Sequence, residues 1–198
     1  VDLGQISIIF FHELSSKESE LIYEDDAVEV HTIPLKHRVY TNGFLFKEKE
    51  GERKLDMNAI LNDNIDVAYY RKLKQGADVI NEDGDLIKNE TVTNAPNKPK
   101  SYAFCSDTVY TESIVPIIKD VDLLYHESTF LEKHEQNAFP TKHCTAKQAA
   151  SIAKLANAKQ LVLGHFSTRY DDLNEFITEA QEVYEPVDIA AAGKVFTV

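Results

Sequence analysis

From residue 101 onward the hydrophobic period switches repeatedly between 2 and 3.6, and this alternation limits the fold more than any other feature of the chain. It predicts strands over 101–105, 121–125, 160–163 and 187–190, and helices over 112–119, 145–156 and 171–184. That pattern is α/β. Thr145 suits a helix N-cap, and Ala149, Ile152, Ala153 and Ala156 then fall on one face. Asp171 and Asp172 suit a helix N-terminus, with Leu173, Phe176, Ile177, Ala180 and Tyr184 forming one apolar stripe. Both helices are expected to pack on the sheet.

The first third reads differently. β-branched and aromatic residues concentrate at 5–11, 20–24, 27–35 and 42–48, with Glu24-Asp25-Asp26 as a turn, so a mostly antiparallel sheet is expected. Charges of alternating sign from Lys47 to Lys54 suit a solvated loop tip. Residues 55–100 are the least regular. They hold a possible helix at 55–61, the basic run Arg71-Lys72-Leu73-Lys74, a turn at 81–85 and an extended stretch at 94–100, and read as an insertion or arm. Ala191 to Val198 reads as a turn followed by a short strand.

The 198 residues suit one domain, yet the start at Val1, without Met or leader, suggests a chain cut from something longer, whereas the C-terminus reads as natural. The apolar runs fall far short of the ~18 residues of a membrane span. A formal net charge of −12 argues against gripping nucleic acid by diffuse attraction to phosphates, so an acidic substrate needs a locally basic or metal-bearing site. Two cysteines, Cys105 and Cys144, make neither a disulfide framework nor a paired-cysteine metal knuckle, and a reducing, cytoplasmic setting is the default.

Chemistry therefore rests on the histidines and carboxylates. His37, Asp107 and His165 each follow directly on an apolar strand, where rigid α/β scaffolds present catalytic groups. Imidazoles plus a carboxylate suit zinc, or a metal pair bridged by the carboxylate. A lone His or Asp after a strand is equally a turn or cap residue, and position alone leaves both readings open.

Four further segments go beyond position. Phe104-Cys105-Ser106-Asp107-Thr108, Leu123-Leu124-Tyr125-His126-Glu127-Ser128-Thr129-Phe130, His143-Cys144-Thr145-Ala146-Lys147-Gln148-Ala149-Ala150 and Leu163-Gly164-His165-Phe166-Ser167-Thr168-Arg169-Tyr170 stand in this order and spacing. Together they resemble ribonuclease Z, the tRNA 3′-end processing endonuclease family of the metallo-β-lactamase superfamily. His37-Arg38 before Gly43-Phe44 resembles that family's histidine ahead of a Gly-aromatic strand. The likeness runs from about residue 20 to the end.

The resemblance implies an αββα sandwich of two sheets flanked by helices, of which this chain is mainly the C-terminal half. It implies two zincs, with His37 on one, His165 on the other and Asp107 bridging. His143 becomes the proton donor or oxyanion partner at the scissile phosphate, Arg169 a phosphate contact, and Glu127 either a partner that orients a histidine or a turn carboxylate. Lys147 is expected to face solvent. The family's tRNA-binding arm corresponds to residues 49–76, with Arg71, Lys72 and Lys74 as its RNA contacts beside Tyr69 and Tyr70.

The family's His-x-His-x-Asp-His segment is absent from the chain, and His12 and His31 lack its spacing. The expectation is that it precedes Val1, that this chain alone binds zinc weakly and cuts little, and that it pairs with the missing N-terminal segment or as a homodimer. Another metallo-β-lactamase-fold phosphodiesterase, or a non-catalytic tRNA-binding or dimerisation half, are the alternatives.

Overall fold

The computed structural model describes residues 10–198. Its strands are β1 (Leu21–Glu24), β2 (Val28–Lys36), β3 (Tyr40–Glu48), the two-residue strands β4 (Lys54–Leu55), β5 (Val79–Ile80), β6 (Leu86–Ile87) and β7 (Thr93–Asn94), then β8 (Ser101–Cys105), β9 (Leu123–Glu127), β10 (Leu161–Gly164) and β11 (Val187–Ile189). Its helices are α1 (Met57–Asn62), α2 (Tyr70–Lys74), α3 (Asn89–Val92), α4 (Glu135–Thr141), α5 (Ala146–Ala156) and α6 (Asn174–Gln181). The strand expected over 5–11 lies outside the described residues except for Phe10 and Phe11, which are irregular.

Seven strands form one sheet in the order β1-β2-β3-β8-β9-β10-β11. The first three pair antiparallel, β3 pairs antiparallel with β8, and β8 to β11 are parallel. This is the switch of pattern read in the sequence. Because β2 and β8 both run against β3, they run the same way, so β2, β8, β9 and β10 all end at one edge of the sheet.

One face of the sheet is closed by α5 and α6. Thr145 caps α5, its hydroxyl accepting from Gln148 N while the Gln148 side chain accepts from Thr145 N, which satisfies two otherwise unpaired donors. Buried alanines on α5 then let the helix lie close to Leu124, Leu161 and Leu163 of the sheet, with Phe176 of α6 filling the remaining space. The other face carries aromatic pairs, Phe46 on Tyr102 and Phe104 on Tyr125, with ring centroids 5.8 and 4.7 Å apart. Tyr125 lies so close over Gly164 that a Cβ there would strike its ring, so Gly164 belongs to this packing.

Three local expectations need correction. Residues 112–119 form only a 3-10 turn at Glu112–Ile114 and further turns, because Pro116 offers no N–H to a helix. No strand forms over 195–198; the chain turns at Gly193 and lays Phe196 and Val198 beside Tyr102 and Leu123. Strand β9 sits two residues later than expected and ends on Glu127, held by its pairing with β10. Helix α4 was not expected: its sequence is polar, holds Pro140 and has no apolar stripe.

The insertion has its own core of Ile60, Ile65, Leu73, Val79 and Val92, and β4 pairs with β7. It therefore draws on residues to 94, beyond the 49–76 expected for an arm.

At the edge opposite the strand ends, Asp122 accepts from Ser101 N at 2.9 Å, Ser101 Oγ at 3.0 Å and Lys159 Nζ at 2.6 Å. Burial pushes its carboxyl up, but the bonds from Lys159 and Ser101 more than offset this and hold it below its ordinary value. Its stabilisation is thus complete above the unfolded pKa of ~3.9 and lost as pH falls through the lower folded value. Asp122→Asn is expected to cost about 1–3 kcal/mol at neutral pH, with the difference from the parent shrinking below pH ~4, as read by denaturant melts across pH.

Candidate metal centre

The shared strand edge gathers the residues singled out by sequence. His37 follows β2, Asp107 follows β8, Glu127 ends β9 and His165 follows β10. Lys36 N donates to Thr108 Oγ1 at 3.1 Å and Val109 N to Lys36 O at 2.9 Å, which ties the first two loops together. His143 comes from the turn between α4 and α5, where Lys142 takes a left-handed conformation and His143 N donates to Ala138 O.

One donor atom each of Asp107, His143 and His165 lie within 4.8 Å of one another. His165 Nε2 faces Asp107 Oδ1 at 2.9 Å. The His143 ring lies 5.1 Å from that of His165 and 5.2 Å from that of His37. His37 thus stands beside His143 and outside the tight donor group of Asp107, His143 and His165.

Asp107 and His165 both have positive φ, 56° and 60°. Left-handed backbone costs a residue with a Cβ ~1–2 kcal/mol, less for Asp, and is tolerated where surrounding contacts enforce it. From these two turns the side chains meet, His165 Nε2 lying 2.9 Å from Asp107 Oδ1.

Beneath the histidines lies Glu127, fully buried. Its Oε1 accepts from His143 Nδ1 at 2.7 Å and Thr108 N at 3.0 Å; its Oε2 accepts from Thr129 Oγ1 at 2.8 Å and from Thr129 N and Cys144 N, each at 3.1 Å. Burial alone would push this carboxyl up, but the bonds from His143, Cys144 N and Thr129 hold it below its ordinary value. The same contact raises the His143 pKa, mainly through the hydrogen bond to Glu127; desolvation opposes it.

The other two rings meet neutral oxygens. His37 Nδ1 is 3.1 Å from the Lys142 carbonyl, and His165 Nδ1 is 2.9 Å from Thr129 Oγ1. A carbonyl only accepts, so His37 carries a proton on Nδ1, and its neutral form presents Nε2 as the free donor. The residues suit a divalent metal such as zinc: imidazole nitrogens and one carboxylate, on rings already oriented from behind.

Arg169 places its guanidinium 5.0 Å over the Phe130 ring. Lys147 pairs with Glu132 and Glu182 rather than with the cluster. Arg71, Lys72 and Lys74 are exposed on α2 in the separate core of the insertion, with Lys72 5.8 Å over Tyr69, and do not join the histidines. His31 pairs with Glu29 on β2. Both cysteines are buried and free, with burial pushing Cys105 up to about 12 and Cys144 upward as well, so neither suits a nucleophile. Sequence reasoning missed Thr108, Thr129 and the Lys142 carbonyl, although the two threonines stand inside the motifs that carried the resemblance.

No family model matches the chain. It is 45% identical over 88% of its length to the ribonuclease Z of Porphyromonas gingivalis, covering 58% of that protein. It is 42% identical to the ribonuclease Z of Bacteroides thetaiotaomicron over 96% of the chain and 60% of the relative, and 43% identical to that of Cytophaga hutchinsonii over 96% and 61%. The chain therefore spans about three-fifths of the length of these curated relatives. Among solved structures it is similar to a metallo-β-lactamase fold protein from Bacillus subtilis, with TM-score 0.56, 19% identity, and coverage of 86% of this chain and 50% of that one. It is also similar to the human tRNase Z, short form, with TM-score 0.53, 21% identity, and coverage of 91% and 47%. The chain is homologous to the ribonucleases Z over the stretch it shares with them, and its seven-stranded sheet with covering helices is the corresponding part of the metallo-β-lactamase fold.

Proposed function

We propose that this chain is the C-terminal part of a zinc-dependent endoribonuclease that removes the 3′ trailer from precursor tRNA. The observation that carries the reading is the convergence of His37, Asp107, His143 and His165 at one sheet edge over the buried Glu127. Asp107 with His165, and His37 on the other side of His143, would hold the metal. When bound, zinc lowers the pKa of a water to about 7 and offsets charge on the phosphate.

The chain's own groups do the rest. His143, with a full carboxylate behind Nδ1, is held toward its protonated form and gives the Nε2 proton to the departing 3′ oxygen of the tRNA. Glu127 keeps that ring oriented. Arg169 is within reach of a phosphate beside Phe130, and Arg71, Lys72 and Lys74 bind RNA backbone from the insertion. Such local contacts let a chain of net charge −12 take an RNA substrate.

Zinc usually takes about four ligands, more than the described residues offer for two ions. Further ligands and the second sheet of the sandwich then come from polypeptide outside residues 10–198. The aromatic face with Phe46 38% exposed supports a sheet packing there. A homodimer in the cytoplasm completes the reading; the two buried free thiols suit a reducing compartment, and no described helix is long and apolar enough to cross a membrane.

The test is cleavage of a precursor tRNA by the full-length protein. A single cut leaving a 3′-hydroxyl on the tRNA is expected, abolished by a chelator and restored by zinc. His165→Ala is expected to lose both zinc and cleavage. Full-rate cleavage by a metal-free preparation would overturn the reading, and cleavage of small phosphodiesters alone would favour another hydrolase of this fold.

A further inference from the structure

Granting the metal site proposed above, we infer that Thr129 is a positioning residue that fixes the ring proton of His165 and thereby prepares His165 and Asp107 as a pair of metal donors. The argument is a count of protons. Thr129 is only 7% exposed, and its hydroxyl has one proton to give. Two partners contact that oxygen: Glu127 Oε2 at 2.8 Å and His165 Nδ1 at 2.9 Å.

Glu127 already accepts from three backbone N–H groups, which can do nothing but donate, so its oxygens act as acceptors throughout. The Thr129 proton therefore goes to Oε2. The hydroxyl oxygen is left as an acceptor, and His165 Nδ1 must carry the hydrogen that meets it. In the neutral ring Nε2 is then the bare nitrogen, facing Asp107 Oδ1 at 2.9 Å. For that neutral ring two lone-pair donors face each other, an unfavourable contact that a cation relieves, either a second ring proton or a metal ion held by both.

Without the hydroxyl the preference reverses. Asp107 is the only other acceptor in contact with the ring among the described residues, so the proton would move to Nε2, donate to Asp107 and block both donors. Glu127 thus sets two histidines at once, His143 directly and His165 through Thr129.

Thr129→Val keeps the shape and removes the hydroxyl; Thr129→Ser keeps the hydroxyl. Zinc competition with a chromophoric chelator on the full-length protein is expected to show affinity about 10–100-fold weaker for Thr129→Val, and within about twofold of the parent for Thr129→Ser. Long-range proton–nitrogen NMR of the His165 ring should show a protonated Nδ1 in the zinc-loaded parent and serine variant. In the metal-free valine variant the proton should sit on Nε2. Equal zinc affinity in parent and valine variant, or serine binding as weakly as valine, would overturn the inference. So would an Nε2-protonated ring in the neutral parent protein, a measurement that stands even if the valine variant fails to fold. If zinc and the ring signals behave as expected but precursor tRNA is not cut, the functional reading falls and Thr129 keeps its role.

Discussion

Glu127→Ala is expected to destabilise the protein by about 3–5 kcal/mol, which lowers the melting temperature of a chain this size by about 10 °C. The carboxylate is the shared acceptor of Thr108 N, Thr129 N, Cys144 N, the Thr129 hydroxyl and His143 Nδ1, all within 3.1 Å. Alanine leaves these donors facing an apolar void, and each buried unsatisfied donor costs about 1–3 kcal/mol before any relaxation or entry of water. Glu127→Gln does not repair the site. Either orientation of the amide turns an NH2 toward groups that themselves donate, since both carboxylate oxygens receive backbone N–H bonds. The folded carboxyl titrates below its unfolded value of ~4.3, so this stabilisation is present above that pH and lost as pH falls through the folded pKa. Calorimetric melts of the parent and both variants check it; an alanine variant melting within 2 °C or so of the parent would show that the three loops hold together without the carboxylate.

The same five bonds show what sequence could and could not reveal. Helix α5 was legible because Thr145 suits an N-cap ahead of a face formed by Ala149, Ile152, Ala153 and Ala156, to which the structure adds Gln148 as the capping-box partner. The placement of His37, Asp107 and His165 was legible because each follows directly on an apolar strand. That their strands end at one edge depended on β2 and β8 flanking β3, a pairing over more than fifty positions that local pattern does not carry. The left-handed turns at Asp107 and His165 were invisible because neither residue is glycine or asparagine, the usual signals of positive φ. Thr129 looked like any threonine after a strand; its role exists only once β9 and β10 set Glu127 and Gly164 side by side. In the insertion, local turns were readable, but the β4 to β7 pairing and the core reaching to Val92 were not.

His143→Ala is expected to lower kcat for precursor tRNA by about 10²–10⁴-fold while leaving zinc content close to that of the parent. The ring lies within the donor group of Asp107 and His165, so geometry alone admits it as a ligand. The partners behind the rings separate the roles. His37 and His165 turn Nδ1 to a carbonyl and a hydroxyl, which orient each ring from behind as the rings of metal-ligating histidines are held. His143 rests on a buried carboxylate, which favours imidazolium and raises its pKa, the form that gives away a proton. Because the acid form is the active one, kcat should fall as pH rises through the raised pKa of His143, and the residual rate of the alanine variant should lack that descending limb. Zinc content after dialysis and a kcat profile from pH 6 to 9 decide the matter. Loss of zinc in parallel with rate would make His143 a ligand and move the proton to another group.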